Sequence, residues 1–76
     1  MYPNPTKGTV IFNLPIINND EYDFVLTNNL GQEVFRSNIG NGGRKEMNIN
    51  QLGDGLYFVQ IFSNNRSYYQ KLYLIK

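Results

Sequence analysis

The sequence contains no cysteine, no histidine and no tryptophan. Without cysteine there is no disulfide and no redox motif, so the redox compartment cannot be read from it. Without cysteine and histidine together, the commonest zinc ligands and the Ser-His and Cys-His nucleophile systems are missing. No apolar run approaches the roughly 20 residues of a membrane-spanning helix. Met1-Tyr2-Pro3-Asn4-Pro5 lacks the charged and then apolar regions of a signal peptide. An excess of one charge is missing too: seven Lys and Arg face six Asp and Glu, for a formal net charge of +1. Nucleic acid and anionic membrane both select a clustered basic excess. Neither is expected as a partner, and no direct insertion into a membrane is expected.

What is present is short and aromatic. The 76 residues make one domain, residues 1–76, with no room for a second core. A chain of this size buries only about 60% of the surface exposed when unfolded. Six Tyr and five Phe, each able to bury roughly 150–250 Å², are the expected compensation. Met1 stands directly before what reads as a domain start, and is expected to be an expression start on an excised module.

No helical periodicity runs through the chain. Asn occurs twelve times, mostly in pairs or beside Gly or Pro, and such clusters read as turns. Their short spacing is the signature of a sandwich or barrel of strands. Thr9 to Leu14 is the first strand, limited by Pro15, which has no N–H to donate. Tyr22, Phe24 and Leu26 alternate with Asp23, Val25 and Thr27 as a half-buried strand. Asn28-Asn29-Leu30-Gly31 turns the chain, and Glu33 to Arg36 pairs back. Gly40-Asn41-Gly42-Gly43 reads as a flexible connection and Arg44 to Ile49 as a weaker strand. Gln51 to Gly55 is a tight turn before Leu56 to Phe62, the strongest strand. Asn64-Asn65 suits a two-residue type I′ turn, and Ser67 to Ile75 returns. With Tyr2-Pro3 as a short edge strand, the expectation is six or seven antiparallel strands.

Three clusters invite chemistry. Asp20, Glu21 and Asp23 could bind Ca²⁺ or act as a carboxylate pair on a glycoside. The spacing of an EF-hand is missing, so a solvated loop is preferred. Gly40 to Gly43 could cradle phosphate, but no Lys-Ser/Thr and no helix follows, and a mobile loop is preferred. Asn65-Arg66-Ser67 matches the glycosylation sequon inside a predicted tight turn, where chance is the better explanation. No enzyme constellation, cofactor motif or metal site survives. The aromatic faces stay open. If Tyr57, Val59 and Ile61 face the core, Phe58, Gln60 and Phe62 face away, and Tyr73 and Ile75 alternate with Leu72 and Leu74. Either a second layer covers both faces, or one face is exposed and docks a partner or a sugar.

Several motifs, in order, carry a resemblance. They are Tyr2-Pro3-Asn4-Pro5 with Gly8, then Leu30-Gly31-Gln32-Glu33-Val34, then Asn48-Ile49-Asn50-Gln51-Leu52. Gly55-Leu56-Tyr57-Phe58-Val59-Gln60-Ile61 follows, and Lys71-Leu72-Tyr73-Leu74-Ile75-Lys76 closes the chain. Pro-Asn-Pro alone is weak; the ordered set spans nearly the whole chain. It resembles the type A C-terminal sorting domain of cargo proteins of the type IX secretion system of Bacteroidetes. The resemblance implies an immunoglobulin-like β-sandwich and a role as an address, not a catalyst. Such a domain follows an N-terminal passenger domain and directs it through the periplasm to the outer-membrane translocon and its shuttle components. A sortase-like peptidase then usually removes it, and the passenger is released or fixed to surface lipopolysaccharide. Recognition is implied in the closing segment, carried here to Gly55, Tyr57, Lys71, Leu72, Tyr73, Leu74, Ile75 and Lys76. Pro3, Asn4, Pro5, Gly8 and Gly31 are implied as structural.

The expected fold is therefore an all-β, immunoglobulin-like antiparallel β-sandwich of six to seven strands. The expected function is a non-catalytic C-terminal secretion signal, with Lys76 expected to end the natural polypeptide. The rival is a carbohydrate-binding accessory module of a secreted polysaccharide-degrading enzyme, using exposed Tyr or Phe. A cell-surface adhesion domain shares the fold but not the closing motif.

Overall fold

The computed structural model describes residue 2, residues 5–17 and residues 20–76. Expectations placed on Met1, Pro3 and Asn4, and on Asn18 and Asn19 of the following loop, lie outside the described residues. Six strands run in chain order: β1 (Thr9–Leu14), β2 (Tyr22–Asn28), β3 (Glu33–Gly40), β4 (Gly43–Asn48), β5 (Gly55–Phe62) and β6 (Ser67–Leu74). All ladders between them are antiparallel. One sheet has the order β3-β2-β5-β6 and the other is β1-β4. That division, with the opening segment beside β1, is the immunoglobulin-like arrangement expected from the resemblance.

Alternation along the strands builds the core. Val10, Phe12 and Leu14 of β1 face Tyr22, Phe24 and Leu26 of β2, together with Tyr57, Val59 and Ile61 of β5 and Leu72 and Leu74 of β6. Phe12 stacks on Phe24 at 5.9 Å between ring centroids, and Phe24 meets Phe35 edge-on at 6.0 Å. These separations suit aromatic pairs, and the first contact joins the two sheets. The aromatic residues thus stabilise a core that has no disulfide.

The β2–β3 hairpin shows how the turns are encoded. Asn28 donates its N–H to Gln32 O at 2.9 Å and accepts from Gly31 N at 3.0 Å. Its side-chain Oδ1 accepts from Leu30 N at 2.9 Å and Gln32 N at 3.0 Å. Gly31 sits at φ +83°, the left-handed residue that closes a three-residue hairpin loop. Asn64-Asn65 likewise forms the tip of the β5–β6 hairpin, with Ser63 N donating to Arg66 O at 2.8 Å.

Three local expectations need correction. β3 extends to Gly40 and not to Arg36, because Ser37 and Asn38 still pair with Phe24 and Asp23. The connection Gly40 to Gly43 is short and packed; a Cβ on Gly42 would lie 2.0 Å from the Pro15 carbonyl oxygen. Asp20 is not solvated but 2% exposed. Its carboxylate accepts from Ser63 Oγ at 2.9 Å, and that hydroxyl oxygen accepts from Arg66 N at 3.2 Å. Asp20 therefore organises the tip of the β5–β6 hairpin from the entry to β2, the strand that pairs with β5.

The opening segment crosses between the sheets. Tyr2 pairs with Ile11 of β1, with N–H to O distances of 2.9 Å and 2.7 Å. Thr6 then pairs in parallel with β6: Thr6 N donates to Tyr73 O at 2.8 Å, and Ile75 N donates to Thr6 O at 2.8 Å. The buried Thr6 hydroxyl donates to Thr9 O at 2.7 Å and accepts from Gly8 N at 3.1 Å. Gly8 adopts φ +138°, and a Cβ there would lie 2.7 Å from Asn50 Cβ. Both conformation and space require glycine.

Two outcomes follow from this packing. Gly8→Ala should destabilise the domain by about 2–4 kcal/mol, combining backbone strain with overpacking. Gly31→Ala, with open space around it, should cost about 1–2 kcal/mol. Urea melts check the order; equal losses for the two would refute the steric part. The second outcome concerns Tyr22, whose hydroxyl donates to Pro15 O at 3.0 Å. Burial above all, then the nearby Tyr68 and Asp20, raise its pKa above the ordinary 10.0, against Arg66, which lowers it. A raised folded-state pKa means that the contribution is full below about pH 10 and is lost as pH climbs through the raised value. Tyr22→Phe should therefore flatten the alkaline fall in unfolding free energy. Equal slopes above about pH 10 in both proteins would count against this origin.

Candidate functional site

The closing hairpin, β5 with β6, carries Gly55, Tyr57 and Lys71 to Leu74 of the residues expected to be recognised, and Ile75 and Lys76 follow directly after β6. Its register pairs Gly55 with Leu74, Leu56 with Tyr73, Tyr57 with Leu72 and Phe58 with Lys71. Successive side chains alternate between faces, so the closing motif splits into two sets with different tasks.

One set points inward. Leu72 and Leu74 are fully buried, and Tyr57 is 8% exposed. The Tyr57 hydroxyl donates to Gly53 O, four residues upstream, at 2.6 Å. A tyrosine near the start of this strand, bonded back to the preceding turn, is the tyrosine corner of immunoglobulin-like sandwiches. Gly55 opens β5 directly after that turn. Gly55, Tyr57, Leu72 and Leu74 therefore hold the hairpin in place; Tyr57, Leu72 and Leu74 offer almost no surface in the folded domain, whereas Gly55 is exposed.

The other set points outward. Ser67, Tyr69, Lys71 and Tyr73 occupy the outer face of β6, and Ile75 follows. Tyr69, Tyr73 and Ile75 are 75%, 46% and 54% exposed. Phe58 of β5, 38% exposed, lies beside Lys71 by register. Gln60 Nε2 donates to the Tyr69 hydroxyl at 3.0 Å. This face has no second layer over it among the described residues, so the strand carries core on one side and an aromatic row on the other. Farther across the same sheet, Arg36 Nη2 stands 2.9 Å from Glu33 Oε1. The hydrogen bond from Arg36, helped by its charge, lowers the Glu33 pKa despite some desolvation. The pair is exposed, and solvent screens it.

The end of the motif is pinned. Ile75 N bonds Thr6 O, Lys76 N donates to Asp54 Oδ1 at 3.2 Å, and Lys76 Nζ donates to Asn50 O. The closing segment thus touches both the opening motif and the connection between β4 and β5. Among the described residues, no group of three or more acidic side chains is arranged to hold a metal ion.

This geometry can present a strand, and comparison with known proteins gives it a context. The model of a family described as the secretion system C-terminal sorting domain matches residues 1–76. The chain belongs to that family. No curated protein is similar enough to count as a relative. Membership makes this domain a C-terminal sorting signal of type IX secretion, which works with that machinery and implies export to the cell surface or the medium.

Sequence reasoning paired the closing segment with β5 as a hairpin and read the alternation of its two faces, but left open which face is covered. Two residues of this arrangement escaped it. Tyr69 could have been found, since it continues the alternation Lys71, Tyr73, Ile75 toward the turn. Thr6 could not, because a lone threonine in a turn-rich stretch carries no pattern; its role exists only where the two chain ends meet.

Proposed function

We propose that this domain is the address at the C-terminus of a passenger protein, read as a folded unit by the type IX outer-membrane translocon. The passenger crosses the periplasm with the domain attached. Shuttle components receive it beyond the translocon, and a sortase-like peptidase removes the domain. The domain itself catalyses nothing. Residues 1–76, over which the family model matches, act together as one sorting domain.

The family match along the chain carries this reading. The exposed outer row of β6 refines it. Lys71, Tyr73 and Ile75 supply the contact surface, while Leu72, Leu74, Gly55 and Tyr57 set the strand's position and Lys76 fixes its end. An exposed strand with alternating side chains suits recognition by docking along the strand or across its face. The same row is the one feature that favours a sugar-binding role, because Phe58, Tyr69 and Tyr73 form an uncovered aromatic face.

The test is export of a periplasm-targeted fluorescent protein carrying Tyr2 to Lys76 at its C-terminus. Two Bacteroidetes hosts are compared, one with and one without a working translocon. The reporter should appear outside only the first. Joint replacement of Lys71 and Tyr73 by alanine should lower export about tenfold or more, the effect of losing on the order of 1.4 kcal/mol of binding. Circular dichroism should show the domain still folded. Retention in the periplasm of both hosts, with a folded domain, would sink the sorting role and turn attention to glycan binding. Translocon-dependent export that ignores the Lys71 and Tyr73 changes would move recognition to another surface.

A further inference from the structure

The side of the sandwich between β1 and β6 is only partly closed. Tyr2 and Thr6 bridge one end of it. Beyond them lies an open groove of about 190 Å³, with Phe12, Asn13 and Leu14 on one wall and Tyr68, Tyr69 and Gln70 on the other. Small-molecule pockets run from about 300 Å³ upward, so this groove is too small for that use. It is of the size to accept part of a side chain.

The edge of β1 shows what can lie there. Ile11 uses its outward N–H and C=O on Tyr2, and Thr9 turns its C=O outward to the Thr6 hydroxyl. Outward backbone groups recur every second residue in an antiparallel ladder. Asn13 is next in that series. Its N–H and C=O point away from β4 toward the groove side, and no hydrogen bond among the described residues uses them. The Tyr2–Ile11 bridge is antiparallel. A strand continued backward from Tyr2 in that antiparallel sense would run along β1 toward Asn13 and Leu14.

We infer that the edge of β1 from Phe12 to Leu14 seats the passenger-side segment that leads into Tyr2, as an added antiparallel strand across the groove. The second residue before Tyr2 falls opposite Asn13 and takes its two backbone bonds. Residues opposite one another share a face. The third residue before Tyr2 thus points inward, level with Leu14, and its side chain enters the groove. An apolar side chain fits that position; the residue opposite Asn13 faces solvent and is free to be polar. The seat also covers an otherwise open strand edge, which is a site for unwanted pairing. The inference rests on a passenger preceding the domain, and not on where the translocon binds.

Amide hydrogen exchange at Asn13, read by NMR, tests it without any secretion machinery. The passenger-bearing protein is compared with the chain that starts at Tyr2. Exchange at Asn13 should be slower by about tenfold or more in the passenger-bearing protein, as befits a bonded amide. Proline at the second residue before Tyr2, which has no N–H, should restore fast exchange there while leaving the Thr6 amide protected. Aspartate at the third residue before Tyr2 should also restore it. Equal Asn13 exchange with and without the preceding segment overturns the inference. So does protection that rises with protein concentration, since a second copy would then occupy the edge.

Discussion

Thr6 makes four hydrogen bonds, two of which tie the beginning of the domain to its end. Its N–H and C=O bind Tyr73 and Ile75, while its hydroxyl binds Thr9 and Gly8. Removing such a residue leaves buried groups unpaired, which costs more than the bonds themselves contribute. The two sheets are joined inside by Phe12 on Phe24 and at the side by this crossing segment. The opening and closing motifs, separated by most of the sequence, are one physical unit. Gly8 belongs to it as well, because Ile49 N donates to Gly8 O at 2.6 Å and no larger residue fits.

That constraint explains how, on the proposed reading, one strand serves as both core and display. β6 contributes Leu72 and Leu74 to the interior and presents Tyr69, Lys71 and Tyr73 outside. A short domain has little stability to spare, so burying half of the signal strand stabilises the fold and fixes the exposed half in one geometry. The tyrosine corner at Tyr57 and the contacts of Lys76 with Asn50 and Asp54 hold the two ends of the same hairpin. Loosening the clasp at Thr6 releases the strand edge beside Tyr73 and Ile75. The display then depends on the distant opening segment.

Much of the fold was legible in the residues. β1 was bounded correctly because Val10, Phe12 and Leu14 alternate cleanly before Pro15. The alternation of Tyr57, Val59 and Ile61 with Phe58, Gln60 and Phe62 in β5 was legible, and the packing shows the first set to be the inward one. The placement of Asp20 was not legible: a carboxylate among asparagines reads as solvated loop, and only the partner Ser63, far along the chain, explains its burial. The extent of β3 was hidden because Ser37 and Asn38 look like turn residues, while cross-strand pairing keeps them extended. For the candidate site, the segment and its alternation were visible and the identity of the covered face was not. Period-2 alternation separates Leu72 and Leu74 from Tyr73, but only tertiary packing says which side is covered.

The most direct test sets the folded state of the domain against its export. A graded series at one residue, Thr6→Ser, Thr6→Ala and Thr6→Pro, leaves every residue of the closing motif unchanged while weakening the clasp to different degrees. Folded fraction is measured by NMR, and export through a working translocon is measured for each variant, normalised to total reporter. Export should fall in step with the folded fraction, with Thr6→Pro lowest because it removes the N–H that binds Tyr73. A Thr6→Pro chain that is unfolded and yet exported like the parent would show that the translocon reads Lys71 to Lys76 as linear sequence, and the folded-unit proposal would be wrong.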